Sequence, residues 1–345
     1  LKTKDLFADL PPQSRILLVR LRSMGDCLLL TSPLRALKEK FPGFRVTVAV
    51  ERRFADCFSG NPDVEEVLSI GRKTDALGLL GRRFEAAINL HGGPTSLGYT
   101  LMTRSPHIGF AQFQYSRLYT ALLAPPDPGL HSVEATMAAF RWLGVARAEP
   151  PPLRYEVQSE EARQIRADLG SRPYAVLHPP AIMETKRWEG AKFVELAGAL
   201  EKAGLTTVLT CGPGEEGMVK PVAKAVPAAR VFYGLRIPQL AELIRGARLF
   251  GGNDSGPMHL AAAVGTPVVA LWGSSDSRRW RPWAVAHAVV QNPFECNPCP
   301  GYRCLVASSP LCIESVTVDQ AVRAAMHLLT PDQQIPVDPD AHSPN

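Results

Sequence analysis

Arg15-Ile-Leu-Leu-Val-Arg-Leu-Arg-Ser-Met-Gly-Asp-Cys-Leu-Leu-Leu30 is the stretch on which the fold turns. Its first part is a short aliphatic run of the kind that forms a strand buried on both faces. A polar turn containing a glycine follows, then an apolar segment with helical spacing. Strand, turn and helix in that order are the first unit of a parallel α/β layer. Gly25 lets the chain turn tightly, which sets Asp26 at the start of the helix and at the carboxyl end of the strand. The strand does not run into G-x-G-x-x-G, and this weakens a dehydrogenase reading. At that position Asp26 either caps the helix by accepting backbone N–H groups or acts as a base. A cap keeps the carboxylate ionised, so the two roles are compatible.

The same alternation extends outward from this unit. Residues 45–50 and 86–90 read as strands, and 28–41 and 53–59 as helices. After a proline-rich stretch at 148–157 it restarts, with strands at 174–178, 206–210, 248–251 and 267–271 and helices at 191–203, 238–245 and 257–264. Right-handed crossovers then predict two α/β domains, each a Rossmann-like parallel sheet, over 1–155 and 156–330. They face each other across a cleft at the carboxyl ends of their strands. The polar, proline-rich tail 331–345 is expected to be disordered. No internal sequence repeat is visible.

Charge is uneven along the 345 residues. Residues 1–150 carry 19 Lys and Arg against 14 Asp and Glu, whereas 151–345 carry 19 against 19, so the whole excess of +5 lies in the first part. Such a half either meets a polyanion (a phosphorylated glycolipid, a nucleic acid or an anionic membrane surface) or is simply a solvated basic face. No apolar run reaches the roughly 18–20 residues of a membrane span, and no export signal opens the chain, so a cytoplasmic protein is expected. Four of the seven cysteines cluster as Cys296, Cys299, Cys304 and Cys312. In a reducing compartment, clustered thiols bind metal or stay reduced, which leaves a structural zinc or iron–sulfur site as one alternative.

Three loops of the second half sit at strand ends. Gly251-Gly-Asn-Asp-Ser-Gly-Pro-Met-His259 places small residues and Pro257 at a helix start, where free N–H groups suit a phosphate. An ordinary turn explains the glycines and the proline, but it does not need Asp254, Ser255 and His259. Thr185-Lys186-Arg187 offers cations to a departing diphosphate, and Cys211-Gly-Pro-Gly-Glu-Glu216 offers carboxylates to ribose hydroxyls or to the helix dipole.

Taken together, these segments resemble glycosyltransferase family 9, the heptosyltransferases of the lipopolysaccharide inner core. The similarity runs from about Arg15 to Leu329 and rests on Ser23-Met24-Gly25-Asp26, on Thr185-Lys186-Arg187-Trp188, and on Asp254-Ser-Gly-Pro-Met-His259 with its trailing Gly-Thr-Pro. The resemblance implies a GT-B fold and an inverting transfer of heptose from ADP-heptose, with no cofactor and no divalent metal. It makes Asp26 the base, and it places Arg20, Ser23 and Gly25 against an anionic glycolipid acceptor rather than a nucleic acid. Thr185, Lys186, Glu215 (or Glu216), Asp254, Ser255, Gly256 and His259 fall on the donor side. It also implies peripheral contact with the inner face of the inner membrane. A GT-B transferase with another sugar donor and acceptor is the enzyme alternative. The sequence departs from the family pattern at His178-Pro-Pro-Ala-Ile-Met-Glu184 on the donor side. It departs again at His91-Gly-Gly-Pro94, where family members often carry Gln-Gly facing the acceptor.

Overall fold

Leu17 and Val19 pack with Ala76, Leu79 and Ala87 on one face of the first strand, while Ile16 and Leu18 join the cluster of Leu28 and Leu34 on the other. Alternate side chains of one strand are thus buried on opposite sides, as a parallel sheet covered by helices requires. The computed structural model describes residues 3–157, 160–167 and 169–330. The first half holds β1 (Arg15–Val19), β2 (Arg45–Glu51), β3 (Glu66–Ile70), β4 (Ala86–Asn89), β5 (His107–Phe110) and β6 (Ala121–Leu123). The second holds β7 (Tyr174–His178), β8 (Thr206–Thr210), β9 (Arg230–Phe232), β10 (Leu249–Asn253), β11 (Val268–Leu271) and β12 (His287–Val290). Helices α1 (Met24–Lys40), α2 (Gly93–Leu101) and α3 (Ser132–Trp142) accompany the first sheet. The second has α4 (Glu160–Ala167), α5 (Gly190–Lys202), α6 (Glu216–Ala225), α7 (Ile237–Arg245), α8 (Gly256–Ala263), α9 (Ser277–Trp280), α10 (Leu311–Glu314) and α11 (Val318–Leu329).

Every strand pair is parallel. The sheets run β3-β2-β1-β4-β5-β6 and β9-β8-β7-β10-β11-β12, the same order twice, although the sequence shows no repeat. In each sheet the chain reverses direction of progress between two central strands, β1 and β4 in the first and β7 and β10 in the second. Ligands bind outside the carboxyl ends at such switch points. The loops after β1 and β4 are therefore neighbours at one switch point, and those after β7 and β10 at the other.

Two expectations need correction. Helix α1 begins at Met24 rather than near Leu28, because Ser23 and Asp26 form a reciprocal cap around a polar first turn that apolar periodicity cannot register. The helix expected at 53–59 is a 3₁₀ segment, Arg52–Phe58, a form usual for short connectors.

The halves are packed together. Leu28 and Leu30 of α1 and Met258 and Leu260 of α8 belong to one buried apolar cluster. The 148–157 stretch is held rather than loose. Leu153 and Tyr155 are buried, and Arg154 pairs with Asp63 at 2.9 Å. The tail 331–345 lies outside the described residues. Among those residues, no helix is long and apolar enough to cross a membrane.

Candidate active site

Asp26 occupies the third position of α1 and turns back. Its Oδ2 accepts from Ser23 N at 3.0 Å and from Ser23 Oγ at 3.1 Å, and its Oδ1 accepts from Arg20 Nη2. Arg20 is itself fixed by donating through Nη1 to the Leu90 carbonyl at the end of β4. Burial pushes the Asp26 carboxyl upward, but the Arg20 guanidinium and the Ser23 donors overcome it and hold the group below the usual aspartate value. Asp26 is therefore ionised at neutral pH. The capping expectation is met in kind, from inside the helix instead of ahead of it. Arg20 is taken up largely with positioning Asp26, where the family resemblance has it facing an acceptor.

In the second half, Lys186 Nζ lies 2.6 Å from Asp254 Oδ2, and the Ser275 hydroxyl donates to the same oxygen. The Lys186 loop is anchored behind the site. Trp188 is buried, with its indole N–H on the Val316 carbonyl at 2.8 Å and its backbone N–H on Asn253 Oδ1 at 3.0 Å. Asn253 Nδ2 donates in turn to the Pro179 carbonyl at 2.7 Å, so one buried amide joins the loops after β7 and β10. Thr185 departs from its expected donor contact. Its hydroxyl donates to the Gly301 carbonyl at 2.7 Å and accepts from Ser274 Oγ at 2.9 Å, and the residue is buried, which makes it an anchor of the loop. Arg187 likewise bends back onto the Ala181 carbonyl. Ser255 and Gly256 open α8, where the first N–H groups of a helix have no intrahelical acceptor. Glu215 Oε2 accepts from Gly212 N at 2.8 Å and stands 3.8 Å from His178 Nε2, with burial raising its carboxyl. Glu216 instead makes a solvent-exposed bond with Gly214 N.

His259 brings the two sets together. A Cβ built on Gly25 would lie 2.5 Å from His259 Cδ2, so the imidazole rests on the α1 backbone next to Asp26. Burial holds this ring down to about 4, against the pull of Asp254 and Asp26, and Lys186 lowers it further. It is thus a neutral side chain between the carboxylates of both halves, with Nδ1 enclosed and unpartnered. Gly256 makes the reciprocal approach, 2.8 Å from Met24 Cβ by the same construction. His91 lines two cavities of about 200 and 220 Å³, the first lined also by Arg20, Gln112, Arg279 and Trp280.

The sequence profile of glycosyltransferase family 9 (heptosyltransferase) matches residues 76–308. The chain belongs to glycosyltransferase family 9. This family 9 protein is 28% identical over 293 residues to lipopolysaccharide heptosyltransferase 3 of Escherichia coli K12, covering 76% of this chain and 83% of that one. It superposes on a family 9 glycosyltransferase from Veillonella parvula DSM 2008 with a TM-score of 0.82, at 22% identity and covering 92% and 97% of the two chains. It superposes on E. coli heptosyltransferase WaaC with ADP-2-deoxy-2-fluoro heptose at 0.69, with 23% identity and coverage of 91% and 99%. Its fold is GT-B, and it is a glycosyltransferase.

The family 9 site contains residues that the sequence did not single out. Asn253 ends β10 and Ser275 follows β11, where the strand-end rule applied to β11 would have found it, whereas Arg279 sits in α9 and leaves no such signal. The four clustered cysteines are free thiols, with Cys296 exposed and Cys312 buried. Cys299 accepts from Gly301 N and Cys304 from Ala307 N. Among the described residues no three His, Cys, Asp or Glu side chains are grouped so as to hold a metal ion.

Proposed function

We propose that this family 9 enzyme is an inverting glycosyltransferase that moves heptose from ADP-heptose to a lipopolysaccharide inner-core acceptor, with Asp26 as general base. The observation carrying this reading is the seat of His259, which packs against the α1 backbone next to Asp26 and lies within electrostatic reach of Asp26, Asp254 and Lys186. The relatives named above, one of them a structure with an ADP-heptose analogue, favour this donor.

Ionised Asp26 has about four lone-pair sites, of which Ser23 occupies two on Oδ2 and Arg20 one on Oδ1. The remaining Oδ1 site receives the proton of the acceptor hydroxyl. The hydroxyl oxygen attacks the anomeric carbon, the bond from that carbon to the diphosphate oxygen breaks, and ADP leaves with the electron pair. A carboxylate is a weak base toward an alcohol, so the proton moves late, once the attacking oxygen has acidified. Lys186 and the first N–H groups of α8 meet the charge on the leaving diphosphate, while Glu215 holds the ribose. The basic first half draws the anionic glycolipid, and the protein works in the cytoplasm at the inner face of the membrane.

A panel of ADP-, UDP- and GDP-linked sugars tests the donor. ADP release from the heptose donor alone is expected, and turnover of another nucleotide sugar in its place refutes the assignment. Asp26→Asn should abolish transfer while ADP binding persists. A variant retaining more than about a tenth of wild-type kcat, a loss below ~1.4 kcal/mol, removes Asp26 as the base.

A further inference from the structure

We infer that Arg279, from the half expected to hold the donor, binds the anionic group of the acceptor sugar in the 200 Å³ cavity lined by Arg20, the residue bonded to Asp26. The inference rests on the transferase reading above and names a contact that crosses the cleft. Of the two guanidinium groups lining this cavity, Arg20 has both terminal nitrogens engaged, by Leu90 and Asp26. Arg279 has no ion pair and no side-chain hydrogen bond among the described residues, and its Nε is enclosed without a partner. The neighbouring carboxylate, Asp276, is occupied by Arg278 through both oxygens at 3.1 Å. Of the other polar residues lining the cavity, Thr136 donates to the Ser132 carbonyl, whereas His91 and Gln112 have no side-chain hydrogen bond among the described residues. Burial and the charges of Arg20 and Arg22 keep His91 neutral, so it supplies a hydrogen bond and leaves the charge to Arg279.

Asp276 feels the Arg279 charge at a distance but forms its ion pair with Arg278, and a partly desolvated cation with no directly paired carboxylate is relieved by an arriving anion. The guanidinium fork matches a carboxylate or a phosphate oxygen pair. Phe113 and Trp280 complete the walls with aromatic faces suited to the CH face of a sugar ring, and the Arg279 guanidinium itself lies 5.5 Å from the Trp280 ring centre. The volume is below the roughly 300–1,000 Å³ of a whole-ligand pocket, so the cavity admits one acidic sugar unit at the acceptor's reactive end.

Calorimetric titration of the full-length protein, loaded with ADP, with a deacylated inner-core glycolipid tests this without requiring turnover. Three forms serve as probes: intact, with sugar carboxylates methyl-esterified, and with phosphates removed. Wild type should bind the intact form, and removal of one of the two anion types should weaken binding at least tenfold and identify it. Arg279→Gln should lose the same factor, become indifferent to that modification and keep its affinity for ADP, and Arg279→Lys should recover part of the loss. Unchanged glycolipid affinity in Arg279→Gln overturns the inference, as does a loss of ADP affinity, which would move Arg279 to the donor. Failure of the transferase reading would show separately, as no ADP release from ADP-heptose by the wild type.

Discussion

Asp26 is held by three donors, and the strongest of them comes from a residue six positions back across a turn. Because Arg20 helps keep the carboxyl low, Arg20→Gln leaves burial opposed only by the two Ser23 donors and raises it. With Asp26 as the base proposed above, the acid limb of kcat/KM should then move upward, with activity lost at a higher pH as pH falls. A profile of kcat/KM against pH for both proteins checks this, and an unmoved limb would mean that another group sets it. Ser23, Gly25 and Asp26 were legible in the sequence because a turn glycine and a capping pair leave local signals. The Arg20–Asp26 pair was not, since it depends on how the chain doubles back after β1. The bonds of Thr185 were hidden for the same kind of reason: a buried hydroxyl facing Gly301 and Ser274 looks identical in sequence to one facing a ligand.

At the level of elements, the first turns of α1 and α8 meet so closely that each uses a glycine at the contact. Gly25→Ala should cost about 1–3 kcal/mol of stability as overpacking, because the new Cβ meets a buried imidazole, and transfer should fall with it. Gly198→Ala, inside α5 with nothing within 4 Å of the added carbon, should instead stabilise by roughly 0.5–1 kcal/mol. Urea unfolding of the two variants separates these outcomes, and similar shifts would contradict the packing described. Central strands such as β1, β7 and β11 were readable as continuous apolar runs. Edge strands β3, β6, β9 and β12 were not, since they are short or half exposed and their side chains carry no clear period.

Across the whole molecule, buried neutral histidines tie acidity to integrity. His131, the cap of α3, accepts from Val133 N through Nδ1 and bonds the Arg281 carbonyl across the cleft at 3.0 Å, while stacking on Trp283. Burial drives His131 and His178 down to about 3 and His259 to about 4. The unfolded chain protonates near 6.5 and the folded one much later, so stability is full above that value and falls as pH drops from about 6.5 toward 3. Urea midpoints measured from pH 8 to pH 4 should decline from about 6.5 downward, and His131→Gln should flatten the decline. The two-sheet plan was legible from the alternation of strands and helices, whereas the matching strand order emerged only in three dimensions, because topology repeats without residue identity. That matching order invites exchange of halves between relatives to mix acceptor and donor preferences. Arg279 sets a boundary on such chimaeras: grafting a foreign first half alone would import a new acceptor wall while keeping the resident cation opposite it. A working hybrid must therefore carry the segment from the end of β11 through α9 along with the half it serves.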